Sequence, residues 1–289
     1  MPELPEVETI RRQLAPLVVG RRITSAEILD PRWCVPQSVE EVEAALVERR
    51  FRALDRRGKH LLWRLEDAGG PAGTVVVHLR MTGVLLVHAL DDPEQPPYER
   101  VALTLDDGRV VRFCDPRRFG TGRWFARDAD ADAWIDARLG PEPLEDGFDG
   151  RVLHAGLRGR RAAIKGLLLD QRIVAGVGNI YADEALFHAR VHPLRAGGAL
   201  TARQCDALAD GIRRALRDGI AAGGATIDDF RHVDGVTGWF QHEFQVHRRA
   251  GLPCPSCGTP VVKRVVAQRA TYSCDVCQPR PRGVARRRP

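Results

Sequence analysis

RVALTLDDGRVVRF, residues 100–113, alternates apolar and polar side chains on both sides of Asp107-Gly108. Asp-Gly favours the two-residue turn whose twist suits an antiparallel hairpin, so the stretch predicts two paired strands. Its neighbours repeat the pattern. RITSAEIL (22–29), FRALDRR (51–57), HLLWRLE (60–66), TVVVHLR (74–80), VLLVHA (84–89) and GRWFAR (122–127) are short, β-branched and often alternating. A β-sandwich or a barrel follows for the first half of the chain.

Beyond GPEPLEDGFDG (140–150), rich in Pro, Gly and acid, the apolar period changes. RAAIKGLLLDQ (161–171), NIYADEALFHARV (179–191) and TARQCDALADGIRRALRDGIAAGG (201–224) carry apolar residues at three-and-four spacing, the mark of helices. The expected organisation is an α+β chain: an N-terminal β-sandwich domain with an N-terminal helix at 1–139, a linker at 140–150, a helical domain at 151–250, a cysteine module at 251–278 and a disordered basic tail at 279–289. No run of 18 apolar residues occurs in the 289, and the charged amino end excludes a signal peptide, so a cytoplasmic protein is expected. Five of the 44 basic residues sit in the tail, leaving 39 against 38 acidic side chains over residues 1–278. Net charge alone therefore says little about a polyanionic partner.

CPSC (254–257) and CDVC (274–277) are separated by sixteen residues, the two-knuckle spacing of a four-thiolate zinc site. Cys254, Cys257, Cys274 and Cys277 can converge on one Zn2+, and TPVVKRVVAQRATYS between them supplies a hairpin. The alternative, a pair of disulfides, suits an oxidising compartment. A closed all-cysteine shell leaves no open position for water, so the metal is expected to be structural. Lys263, Arg264 and Arg269 would stand on that hairpin within reach of phosphates.

At the amino end, Pro5 suits the first turn of a helix, Glu6 and Glu8 favour its positive end, and Val7, Ile10 and Leu14 form one stripe. That account leaves Pro2 and Glu3 unexplained. Removal of Met1 would make Pro2 a secondary amine, and an α-amino group, with a reference pKa of about 8, is far more often neutral at pH 7 than a lysine. Such an amine can attack carbon, with Glu3 beside it as acid and base. From the residues alone, Lys59 reads as a solvated turn lysine, and Met81 and Phe119 read as core.

PELPEVET (2–9), RRGKHLL (56–62), HLRMTG (78–83), DPRRFG (115–120), LLLDQRIVAGVGNIYADEALF (167–187) and the terminal knuckles occur in the order found in bacterial formamidopyrimidine-DNA glycosylases, which the chain resembles over nearly its whole length. The resemblance implies a helix-two-turns-helix DNA-binding domain before the zinc hairpin. It also implies a bifunctional glycosylase and abasic-site lyase that removes oxidised purines, 8-oxoguanine and formamidopyrimidines, from double-stranded DNA as a monomer in the bacterial nucleoid. It makes Pro2 the nucleophile, Glu3 the acid-base group and Lys59 a third catalytic residue. Met81, Arg117 and Phe119 would fill the gap left by an extruded base, Lys165, Asn179 and Arg269 would contact phosphates, and residues 223–241 would close over the base. The chain departs from the family pattern at His60, Arg80 and Ala225 and in VHRRAG (246–251). Two other readings are an endonuclease VIII-like preference for oxidised pyrimidines and a catalytically silent zinc protein that binds damaged DNA.

Overall fold

A computed structural model describes residues 1–92, 96–226 and 231–281. The contacts divide the chain into a first unit, Met1–Ala137 with Ala222–Gln241, and a second, Arg138–Ala221 with the chain from His242 onward.

The first unit opens with α1 (Leu4–Val18) and β1 (Ile23–Ile28), followed by α2 (Val39–Leu46). The strands β2 (Arg50–Arg57), β3 (His60–Asp67), β4 (Gly70–His78), β5 (Val84–Ala89), β6 (Glu99–Leu105), β7 (Arg109–Cys114) and β8 (Thr121–Phe125) lead to α3 (Asp128–Asp136). They form two antiparallel four-stranded sheets, β1-β6-β7-β5 and β2-β3-β4-β8, which is the sandwich rather than the barrel. The hairpin read first from the sequence pairs Leu103 with Val111 and Val101 with Phe113. Val101, Leu103 and Leu105 point into the core, as the alternation requires. Trp33 lies between the rings of Trp63 on β3 and Phe113 on β7, at 6.2 and 6.1 Å, and so joins the two sheets.

β4 does not alternate: Thr74 to His78 are all buried. The second face is covered by α3, which the sequence reading missed because its acids obscure the apolar period. Those acids pair with the sheet: Asp128 with Thr74 and Arg52, and Asp132 with Arg64, while Ala131 and Ile135 fill the space beneath. α2 was missed as well, although Ser38 caps it by accepting the Glu41 N–H.

Residues 222–241 join the first unit, not the helical domain in which the sequence reading put them. Val233 enters the sandwich core, its carbonyl accepts the Val87 N–H, and the Ala225 N–H donates to Glu6. Residues 227–230, part of the expected closing segment, and 282–289 of the expected disordered tail lie outside the described residues.

In the second unit α4 (Gly150–Leu157), α5 (Ile164–Leu168), α6 (Asn179–His188) and α7 (Ala202–Ala221) precede the hairpin β9 (Val262–Val266) and β10 (Arg269–Ser273). The expected helix at 161–171 is thus a single turn and a half. The 140–150 segment is packed rather than loose: Phe148 is fully buried, the Gly140 N–H donates to the Gln171 carbonyl, and Arg213 donates to the Phe148 carbonyl. α7 buries Cys205, Leu208, Ile212 and Leu216, the stripe the sequence predicts. Among the described residues no helix is long and apolar enough to cross a membrane.

Candidate active site and nucleic-acid interface

Pro2 is buried immediately before Glu3, the N-cap of α1. Glu3 and Glu6 form a capping box, in which the Glu3 N–H donates to Glu6 Oε2 at 2.7 Å. The other oxygen of Glu6 accepts the Ala225 N–H at 2.8 Å. One buried carboxylate therefore holds both the start of α1 and the 222–241 segment, a role the sequence reading missed because Glu6 was accounted for by the helix dipole alone.

Lys59 sits in the two-residue Gly58-Lys59 turn between β2 and β3, with Gly58 at φ +57° and the pair Arg57–His60 closing the hairpin. It is 6% exposed, so it is not the solvated lysine that its sequence context suggests. The end of β2 is tied to the first turns of α1: Arg56 donates to Glu8 at 3.0 Å, and Arg11 donates to the Leu54 carbonyl. These ties fix the Lys59 turn relative to the helix that begins beside Pro2. His78, paired in register with His60, is buried, and its Nδ1 accepts the Arg80 N–H at 2.9 Å. Burial first, and then the electrostatic influence of His60, Arg80 and Lys59, pushes its pKa well below the usual histidine value, so its ring is neutral at pH 7.

Two loops present the expected gap-filling residues. Met81 is 41% and Phe119 is 50% exposed, so neither belongs to the core. Arg117 lies over the Phe119 ring at 4.8 Å. The loops are joined by Asp115, which is fully buried and was also missed. It accepts the Thr82 hydroxyl from one loop and the N–H groups of Arg117, Phe119 and Gly120, at 3.1, 2.8 and 2.8 Å, from its own. An Asp-Pro pair initiating a turn was the available signal. Gly83 and Gly120 both abut the Phe113 ring, where an added Cβ would lie 2.8 and 2.3 Å from Cζ. Only glycine lets both loops approach one ring so closely. Arg118, at φ +59°, is held from beneath by Asp30 at 2.8 Å.

In the second unit, Gln171 braces the turn before α6, donating to the carbonyls of Leu169 and Val177 and accepting the Gly176 N–H. α6 starts from Gly178 without a side-chain cap from that residue. Asn179 is half-buried at its first position, with its carboxamide oxygen lacking a hydrogen-bond partner.

Lys165 differs from expectation. Its side chain is fully buried, and its ammonium donates to Asp183 Oδ1 at 2.6 Å and to the Ala270 carbonyl at 3.0 Å. Asp183 Oδ2 lies 2.8 Å from His247 Nδ1. In this arrangement Lys165 braces α6 and the hairpin rather than facing a phosphate. Arg264 is likewise occupied, by both oxygens of Asp275 at 2.6 and 2.7 Å. Arg269 and Lys263 remain exposed on the hairpin, Arg269 directly after the turn Ala267-Gln268.

The sulfurs of Cys254, Cys257, Cys274 and Cys277 all lie within 4.8 Å of one another, with 3.8 Å between Cys254 and Cys277 and 3.4 Å between Cys257 and Cys274. Bonds of about 2.3 Å in a tetrahedron place sulfurs about 3.8 Å apart, so the donor set and its spacing fit one structural zinc.

The pattern defining the formamidopyrimidine-DNA glycosylase N-terminal domain matches residues 1–122, that of its H2TH domain matches 139–231, and a zinc finger found in FPG and IleRS matches 251–280. The chain is 45% identical to the formamidopyrimidine-DNA glycosylase of Alkalilimnicola ehrlichii, covering 96% of this chain and all of that one. It is 47% identical to that of Symbiobacterium thermophilum, covering 99% and 92%. Its fold superposes on Lactococcus lactis Fpg in complex with abasic-site DNA, with a TM-score of 0.87, 34% identity, and 96% and 100% of the two chains covered. For MutM (Fpg) from Thermus thermophilus the TM-score is 0.83 at 44% identity, covering 96% and 98%. The chain belongs to the formamidopyrimidine-DNA glycosylase family.

Proposed function

We propose that this chain is a base-excision DNA glycosylase and abasic-site lyase that removes oxidised purines from duplex DNA. The observation that carries the reading is the burial of Pro2 and Glu3 at the start of α1 and of Lys59 in the β2–β3 turn tied to that helix, in the same unit that exposes Met81, Arg117 and Phe119 on two tied loops. A base inside a duplex is out of reach, and extruding it costs a few kcal/mol. Phe119 acts as an apolar plate between bases, Met81 fills the vacated space, and the planar fork of Arg117 bonds the orphaned partner. Asn179 and Arg269 hold backbone phosphates. Lys165, placed among the phosphate contacts by resemblance, acts through the hairpin instead.

With Met1 removed, the Pro2 nitrogen attacks C1′ of the sugar and the base leaves with the glycosidic electron pair. The proton lost by the attacking nitrogen neutralises the departing base, Glu3 then protonates the ring oxygen as the nitrogen lone pair opens the sugar to an iminium, and Lys59 stands beside the reacting sugar. Loss of the C2′ proton then expels the 3′-phosphate by β-elimination, and δ-elimination releases the 5′-phosphate. The zinc holds the hairpin and takes no part in these steps. The protein works in the cytoplasm on nucleoid DNA, as a monomer.

A second reading, oxidised pyrimidines as substrates, is favoured by one observation: Lactococcus lactis Fpg has also been solved in a complex with DNA containing an oxidized pyrimidine. Single-turnover cleavage of otherwise identical duplexes carrying 8-oxoguanine or thymine glycol opposite their normal partners separates the two. Faster release of 8-oxoguanine supports the proposal. Faster release of thymine glycol transfers it to the second reading, and cleavage of neither leaves the silent binder.

A further inference from the structure

The loop from α4 to α5 reads RGRR, residues 158–161. From Gly150 to Leu169 the sequence has five lysines and arginines and no acid. Lys165 is buried on Asp183, and Arg151 is paired with Asp149. Arg158, Arg160 and Arg161 are exposed and make no salt bridge among the described residues. Two acids lie near. Asp206 packs against Gly150 at the opposite end of α4, about 12 Å away along eight residues of helix. Asp170 feels the charge of Arg160, but its hydrogen bonds go to Arg172.

Three like charges within four residues repel one another, and a mobile loop would let them separate. This loop is pinned. The Arg160 carbonyl accepts the Gly198 N–H at 2.8 Å, the Ala162 carbonyl accepts the Gly197 N–H at 3.0 Å, and Ala163 bridges Ala196. A Cβ on Gly198 would lie 3.0 Å from the Arg160 nitrogen, so the two backbones are in direct contact. The patch also borders the hairpin surface: a Cβ on Gly166 in α5 would lie 3.2 Å from Ala267 Cβ, in the turn that precedes Arg269. From Arg161 to that contact is roughly 10–12 Å, two extended residues and most of a helical turn. At ~3.4 Å of rise per phosphate on one strand, that is about three phosphates.

We infer that Arg158, Arg160 and Arg161 form a second phosphate-binding surface that grips the duplex backbone beyond the segment held by Arg269, lengthening the DNA footprint on one flank of the lesion. The inference rests on the proposed function, since it needs duplex DNA as the partner of the second unit.

The test is equilibrium binding of R160A/R161A and wild type to one 8-oxoguanine site, against salt, in a 30-base-pair duplex and in duplexes shortened stepwise from either end. Each lost phosphate contact lowers the slope of log affinity against log salt by about 0.9. The double variant should therefore lose about 1.8 of slope on the long duplex, so that its affinity falls about twelvefold less between 50 and 200 mM salt. Shortening the gripped flank should remove all three contacts from wild type, lowering its slope by about 2.7, but only that of Arg158 from the variant, lowering its slope by about 0.9. Zinc content and melting temperature report folding, and R160K/R161K should restore the slope. A wild-type slope on the long duplex that the double substitution does not change overturns the inference while leaving the function standing. A wild-type protein that does not bind lesion duplexes at all overturns the function itself.

Discussion

Asp115→Asn isolates the device that joins the two gap-filling loops. The native carboxylate accepts four hydrogen bonds, from the Thr82 hydroxyl and from the N–H groups of Arg117, Phe119 and Gly120. An asparagine keeps one accepting oxygen and replaces the other with a donor. If the oxygen stays with Phe119 and Gly120, the Thr82 hydroxyl can turn to accept, but the Arg117 N–H has no acceptor left. An unpaired buried donor costs about 1–3 kcal/mol, and the retained bonds lose their charge assistance, so the loop should be loosened by about 2–4 kcal/mol. Hydrogen exchange at the Phe119 and Gly120 amides reads that directly, and 2–4 kcal/mol corresponds to acceleration of about 30- to 1000-fold where local opening governs exchange. In cleavage assays the variant should release 8-oxoguanine from duplex DNA slowly yet cut a preformed abasic site at close to the normal rate, because an abasic site has no base to extrude. Wild-type exchange at both amides, or equal damage to both substrates, would refute the assignment of Asp115 as the tie between the loops.

Lys165→Met should destabilise the second unit by about 3–5 kcal/mol, since it strands a buried Asp183 carboxylate, and adding Asp183→Asn should recover part of the loss. Unchanged stability with a flatter salt dependence of DNA binding would instead return Lys165 to a phosphate contact. Cys257→Ser should lose zinc and DNA affinity together, whereas Arg269→Ala should keep the metal and lower the salt slope by about 0.9, as metal analysis and binding titrations will show. Burial pushes the Glu8 carboxyl up, but hydrogen bonds from Arg11 and Arg12 and the charge of Arg56 outweigh it and hold its pKa at about 2, against 4.5 when unperturbed. The stability it supplies is complete above pH 4.5 and is lost as pH falls through 2. Urea midpoints of Glu8→Gln should therefore lie below wild type at pH 7, with the gap closing between pH 4.5 and 2.

Strand content, the hairpin at 100–113 and the four-thiolate module were legible because each rests on a local rule: alternation, turn chemistry and ligand spacing. α3 was not, because its acidic face meets arginines across the sheet, and periodicity read from one segment cannot see its partner. The same limit hid Glu6, Asp115 and Asp183, whose partners lie up to 219 residues away in sequence. Composition misjudged Lys59 and Phe119 in opposite directions, placing the buried lysine in solvent and the exposed phenylalanine in the core. The motif resemblance instead put Lys59 beside the reacting sugar and Phe119 between bases, roles that the burial and exposure support as a proposal. It also placed Lys165 among phosphate contacts, where the structure has an ion pair.

Borohydride reduction during turnover on a duplex containing 8-oxoguanine tests the central claim most directly, because it fixes whichever amine has joined the sugar. The account predicts a covalent protein–DNA adduct whose peptide sequencing places the link at the Pro2 nitrogen, with none formed by protein that retains Met1. A link at Lys59, or full cleavage by the Met1-bearing form, would contradict it.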